Sequence, residues 1–132
     1  MTDTDKDLLE RAARAAGYTL KFGEVYMLGD DEIDCTDQPY VVSGHPDEAD
    51  WYWDPLHDDG DALRLAVKLG MNIGNRADRS IEAWAVSDQD GGVYRGVEQK
   101  REDPFVATRR AIVRAAAALG ASPSCPTESA DS

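Results

Sequence analysis

The segment DPFVATRRAIVRAAAALG (103–120) decides the architecture, because it carries the clearest helical pattern in the chain. Asp103 can accept a hydrogen bond from an unpaired amide at the helix start, and Pro104 suits the first helical position, where no amide hydrogen is needed. Gly120 is a typical helix stop. We predict a helix over 104–120 with one apolar stripe, formed by Phe105, Ile112, Ala116 and Leu119.

Two further helices are predicted upstream of this segment. Residues 4–16 place leucines and alanines on one face after Thr4, which can cap the helix. Residues 61–69 form a short and mostly buried helix. Asp58 or Asp59 can cap it, because a carboxylate accepts hydrogen bonds from the free amides of the first turn.

Short alternating segments between the helices predict strands. The acidic segment 29–39 is predicted to be a loop, and 87–92 a turn that joins the last two strands into a hairpin. The strands lie within 18–28, 39–43, 71–73, 80–86 and 93–97.

This order of elements predicts an α+β protein. We expect a mainly antiparallel sheet of about four to five short strands sandwiched between three helices, in α/β/α layers. Residues 1–120 are expected to form a single domain, and 121–132 a disordered C-terminal tail by composition.

Composition is typical of a folded globular protein, since 42% of the 132 residues are apolar. No apolar run approaches the roughly 20 residues of a membrane span, and the acidic N-terminus does not resemble a signal peptide. We therefore expect a cytoplasmic protein without membrane contact. Cys35 and Cys125 are expected to be reduced thiols.

Charge is unevenly distributed along the chain. The net charge is −12, and residues 1–61 contain 17 acidic and 4 basic residues, whereas 62–132 contain 9 acidic and 10 basic residues. This balance argues against direct nucleic-acid binding, which requires positive charge against the phosphates. It favours a partner with a basic surface, or high solubility alone.

The stretch DWYWDPLHDDGDA (50–62) combines aromatic and acidic residues, but its spacing does not match a known metal loop. An EF-hand aligned on Gly60 would need a glutamate where Ala66 stands. His57 with Asp54 or Asp58 supplies only part of a zinc site. No nucleophile motif or phosphate-binding loop is present. The sequence predicts no catalytic residues, no metal and no cofactor.

Tryptophans in this stretch have two interpretations. Trp51 and Trp53 would share one face of an extended segment, so both can cover the sheet beneath the helix. Alternatively, one of them is exposed as an interface anchor, because tryptophan is enriched at binding hot spots. Arg109 is expected at the edge of its helix, paired with an acid.

Parts of the chain resemble a known family. WDPLHDDGDALRLAVKLGM (53–71), SIEAWAV (80–86) and DPFVATRRAIVRAAAALG (103–120) resemble the phage ABA-sandwich domain family, small phage proteins that include NinX-like members. The resemblance covers 51–120. It implies a sheet between helical layers and an origin in a phage or prophage inside the bacterial cytoplasm. It implies no reaction and no catalytic residue.

Our leading hypothesis is a small, non-enzymatic phage accessory protein that binds a host protein with a basic surface. Inhibition of a nuclease or another defence protein by DNA mimicry would fit the charge. We expect a monomer or homodimer. The predicted binding residues are Asp30, Asp31, Glu32, Asp34, Asp37, Asp54, Asp58, Asp59 and Trp51.

Two alternatives remain open from the sequence. One is a small metal-binding or ligand-binding domain, or an enzyme, centred on His57 and its neighbouring aspartates. The other is a structural or assembly protein that pairs through an exposed sheet edge.

Overall fold

The computed structural model describes residues 2–43, 49–100 and 103–121, so His45, Cys125 and the predicted tail beyond Ala121 lie outside the described residues. The three predicted helices are present, and the α+β class is confirmed. Within the described residues, no helix combines the length and apolar character that crossing a membrane requires. In chain order the elements are α1 (Asp3–Ala16), β1 (Thr19–Phe22), β2 (Val25–Leu28), β3 (Asp31–Asp34), β4 (Pro39–Val42), β5 (Trp51–Tyr52), α2 (Asp59–Lys68), β6 (Asn72–Asn75), β7 (Ser80–Val86), β8 (Val93–Gln99) and α3 (Pro104–Gly120).

The strands form three separate antiparallel sheets rather than the one predicted sheet. The first has the order β1–β4–β5, the second is the β2–β3 hairpin, and the third has the order β6–β7–β8. The described residues contain eight strands, more than the four to five expected. Alternation along a strand shows which side chains share a face, but it does not identify the partner strand.

The helices connect the first and third sheets through a series of contacts. Helix α1 contacts both β1 and α3, and α3 in turn packs against β7 and β8. On β7, Ile81, Ala83 and Ala85 are buried. On the opposite face, Val86 pairs with Val93 and both are exposed. The predicted layering, with one sheet between helices, is not confirmed.

Helix starts follow the expected capping chemistry at two of three sites. Asp58 accepts a hydrogen bond from the Asp61 amide at 2.7 Å, and Asp103 accepts one from the Phe105 amide at 2.9 Å. The prediction for α1 is wrong, because Thr2 rather than Thr4 accepts the capping bond. Thr4 lies inside the first turn of that helix.

Small residues bring α3 close to its neighbours. A β-carbon at Gly96 would lie 2.6 Å from the Arg114 Cβ, and one at Gly120 would lie 2.8 Å from the Arg11 carbonyl carbon. Gly120 therefore permits close packing of α3 against α1, and it is also the last residue of α3. Phe105 is 65% exposed, so its predicted place in the buried stripe is wrong. The buried residues of α3 are Ala107, Ala111, Ile112, Val113, Ala115, Ala116 and Ala117.

Gly96→Ala is expected to lower the free energy of unfolding by about 1–3 kcal/mol, because the added methyl group would push α3 away from β8. Gly74→Ala is the matched control in the same sheet. Its added methyl group would meet the Trp84 ring at 3.6 Å, an ordinary contact distance. Urea unfolding measures both variants. Equal free energies for the two variants would contradict the packing argument.

Candidate functional site

The β2–β3 hairpin, residues 25–34, extends one apolar strand beside one acidic strand, and we name it the acidic arm. Gly29 and Asp30 form its two-residue turn, with Gly29 at a φ of +67°. Every residue of β2 is exposed, from 49% at Val25 to 65% at Leu28. A two-stranded hairpin without a buried face is only marginally stable in isolation, so this apolar surface contributes little to the core.

Carboxylates of the acidic arm line the apolar strand. Across the hairpin, Glu32 pairs with Met27 and Asp31 pairs with Leu28. Asp30 lies in the turn. The prediction of a loop over 29–39 is therefore wrong in part, because β3 occupies residues 31–34. Strand pairing fixes where these carboxylates stand relative to the apolar side chains.

Asp34 and Asp37, at the base of the arm, have partners within the chain. The Thr36 hydroxyl donates to the Asp34 carboxylate at 2.6 Å and the Thr36 amide donates at 2.9 Å. These two bonds, with a smaller contribution from the charge of Lys6, hold the pKa of Asp34 below its ordinary value. Asp37 lies 3.7 Å from the Lys6 ammonium.

An open cleft of about 440 Å³ lies between the base of the arm and the first sheet, and we name it the aromatic cleft. Tyr52, at its rim, is 72% exposed. The sequence pattern indicates Trp51 but not the tyrosines, because the tyrosines come together only when the arm meets β4 and β5. The residues that line the cleft are Gly23, Tyr26, Cys35, Gln38, Tyr40, Asp50, Trp51 and Tyr52.

Trp51 is held in place by contacts behind the cleft. The rings of Trp51 and Trp53 each meet the Tyr18 ring edge-on, with centroids 5.7 Å apart. Trp53 is 3% exposed and belongs to the core, whereas Trp51 is 41% exposed. The two tryptophans therefore differ in exposure, and whether Trp51 anchors an interface stays a prediction.

The remaining predicted carboxylates stabilise the start of α2. Asp54 binds His57 Nδ1 at 2.8 Å, and Asp58 caps the helix. Asp59 forms a 2.6 Å ion pair with Arg109, which confirms that Arg109 pairs with an acid. In the part of the chain that the structure describes, no group of three or more His, Cys, Asp or Glu side chains is arranged to hold a metal ion.

Sequence-predicted binding residues are thus distributed over four places. Four carboxylates belong to the acidic arm, and Trp51 belongs to the aromatic cleft. Asp37 lies beside α1, and the other three carboxylates lie at the start of α2. In the order of the chain, these residues are Asp30, Asp31, Glu32 and Asp34 of the arm, Asp37, Trp51, and then Asp54, Asp58 and Asp59.

No protein-family model, curated protein or solved structure matches the chain. The resemblance to the phage ABA-sandwich family therefore stays a prediction. Functional inference rests on the geometry of the acidic arm and the aromatic cleft.

Asp58→Ala is expected to lower the free energy of unfolding by about 1 kcal/mol, because it removes the cap of α2. Asp30→Ala, in the exposed turn of the arm, is expected to change stability by less than about 0.5 kcal/mol. Thermal and urea unfolding distinguish the two. A larger loss for Asp30→Ala would show that the arm carboxylates support the fold.

Thr36→Val is expected to raise the pKa of Asp34 toward its ordinary value, because the hydroxyl that donates to the carboxylate is removed. Because the pKa of Asp34 is lower in the folded chain than in the unfolded chain, its hydrogen bonds stabilise the fold fully above the unfolded-state pKa. This stabilisation is lost as the pH falls through the folded-state pKa. NMR titration of the carboxyl carbon measures this change. Asp78 is the control, since its pKa is lowered by Ser80 instead. An unchanged Asp34 pKa would exclude the hydroxyl as its main cause.

Proposed function

We propose that the chain is a non-enzymatic binding protein that holds the basic surface of a partner protein between its acidic arm and aromatic cleft. The observation that carries this proposal is the exposure of all four residues of β2 beside the carboxylates of β3. Apolar surface of this kind is costly in water and marks an interaction site.

Two physical terms support binding at this place. Apolar and aromatic side chains, including Met27, Leu28 and Tyr52, supply surface that a partner can bury. Carboxylates around them attract a basic partner from a distance, which raises the association rate and selects against acidic partners. The net charge of −12 acts in the same direction over the whole molecule.

The same charges support one class of partner. A protein groove that normally binds nucleic acid presents lysines and arginines to phosphates, and the carboxylates of the arm can occupy such a groove. Together with the resemblance to small phage proteins, this extends the proposal to a host nuclease or another defence protein, inhibited by DNA mimicry in the bacterial cytoplasm.

Reversal of three arm charges, Asp30→Lys, Asp31→Lys and Glu32→Lys, is expected to abolish partner capture. The immobilised full chain is incubated with bacterial lysate at low and high salt, and bound proteins are quantified by mass spectrometry. Capture by the unchanged chain is expected to fall at high salt, because the Debye length shrinks from about 10 Å at 0.1 M to about 3 Å at 1 M.

The matched control reverses three exposed acids outside the arm, Asp7→Lys, Glu10→Lys and Asp88→Lys. It changes the net charge by the same amount and is expected to keep most of the capture. An equal loss of capture in both triple variants would show that net charge alone, and not the position of the arm carboxylates, determines capture. Failure of the unchanged chain to enrich any protein would reject the proposed function.

A further inference from the structure

We infer that the aromatic cleft receives a cationic side chain, a guanidinium or an ammonium group, from the partner. This inference deepens the proposed function. It rests on that function only in assigning the cation to a side chain of a partner protein. Its physical basis is the attraction of a cation to the electron-rich faces of aromatic rings, reinforced by a nearby carboxylate.

The cleft gathers rings from three elements of the fold. Tyr40 of β4 and Tyr52 of β5 are direct cross-strand partners, so their side chains lie on the same face of the first sheet. Trp51 lines the cleft from β5, and Tyr26 lines it from the acidic arm. Four aromatic residues thus line a space of about 440 Å³, which is large enough for one long side chain.

The charge of the cleft selects a cation over a neutral apolar group. Asp50 lines the cleft, and its carboxylate accepts a hydrogen bond from the Ser43 amide at 3.0 Å, which restrains its position. No lysine or arginine is present among the described residues that line the cleft. Negative charge from the adjacent arm adds to the attraction, so the site is complementary to a positive ligand.

Rings next to the cleft already hold cations of this chain. The Lys68 ammonium lies 5.2 Å from the centroid of the Tyr18 ring, and Tyr18 contacts Trp51. Lys6 lies 5.4 Å from the centroid of Phe22 on β1. Both distances are within the range of about 6 Å for a cation–π interaction. The cleft presents further rings of the same first sheet and arm to an external cation.

Small-molecule titration tests this site without the partner. The chain contains three tryptophans, so its indole N–H spectrum has three signals, and Trp51→Phe assigns the signal of the cleft. Nα-acetyl-arginine amide or Nα-acetyl-lysine amide is expected to shift the Trp51 signal at millimolar concentration. Nα-acetyl-citrulline amide, which is neutral and nearly the shape of arginine, is expected to leave it unchanged.

The relative response to the two compounds identifies which cationic group the cleft prefers. A larger shift with the arginine compound assigns a guanidinium, and a larger shift with the lysine compound assigns an ammonium group. Absence of a Trp51 shift with both cations, or an equal shift with citrulline, overturns the inference.

Two variants separate the ring and carboxylate contributions. Tyr52→Ala and Asp50→Asn are each expected to weaken binding of the cationic compound about three- to tenfold. Phe105→Ala removes a similarly exposed ring on α3 and is expected to leave binding unchanged. Unchanged binding in both cleft variants would overturn the site.

Failure of this inference is distinguishable from failure of the proposed function. If the arm-dependent capture succeeds and Trp51 does not respond to cations, the cleft does not receive the cation, while binding of a basic partner through the acidic arm stands. If Trp51 responds to the cations and no protein is captured, the cleft is a cation-binding site, but the proposal that a partner protein supplies the cation is rejected.

Discussion

Helix α3 lies so close to its neighbours that neither a glycine on β8 nor the glycine at its own C-terminal end has room for a β-carbon. Gly96 faces the backbone of α3 from β8, and Gly120 faces the backbone of α1. Alanines fill most of the remaining contact, including Ala115 and Ala116 on α3 and Ala12 on α1, all fully buried. Close packing of small side chains gives many dispersion contacts at short interhelical distance, and interiors tolerate little added volume. The positions of the first and third sheets follow from this contact.

The core built around α3 leaves the acidic arm outside it. The first sheet is joined to the helices through the contact of α1 with β1 and through Trp53, whereas β2 and β3 pair mainly with each other. A hairpin that contributes no buried face can carry apolar and acidic side chains without lowering the stability of the core. The proposed binding surface and the core are therefore separate parts of one chain.

Carboxylates divide into two functional groups for a physical reason. Those at helix starts accept hydrogen bonds from amides that have no partner in the helix, as Asp58 and Asp103 do. Those of the arm, such as Asp31 and Glu32, face water beside apolar side chains. The first group stabilises the helices, and the second gives the arm its charge. Residue type alone does not separate them, because an aspartate has the same chemistry in both places.

Local patterns in the sequence determined the three helices, the caps at Asp58 and Asp103, and the strands of the β7–β8 hairpin, since hydrogen bonds between near neighbours decide these features. The pairing of β2 with β3, the division into three sheets and the assembly of Tyr26, Tyr40 and Tyr52 into one cleft depend on contacts between distant residues. Short strands of four residues carry too little alternation to choose among partners. The exposure of Phe105 and the separation of Trp51 from Trp53 were likewise decided by tertiary packing, because a helical or extended period gives the direction of a side chain but not what lies opposite it.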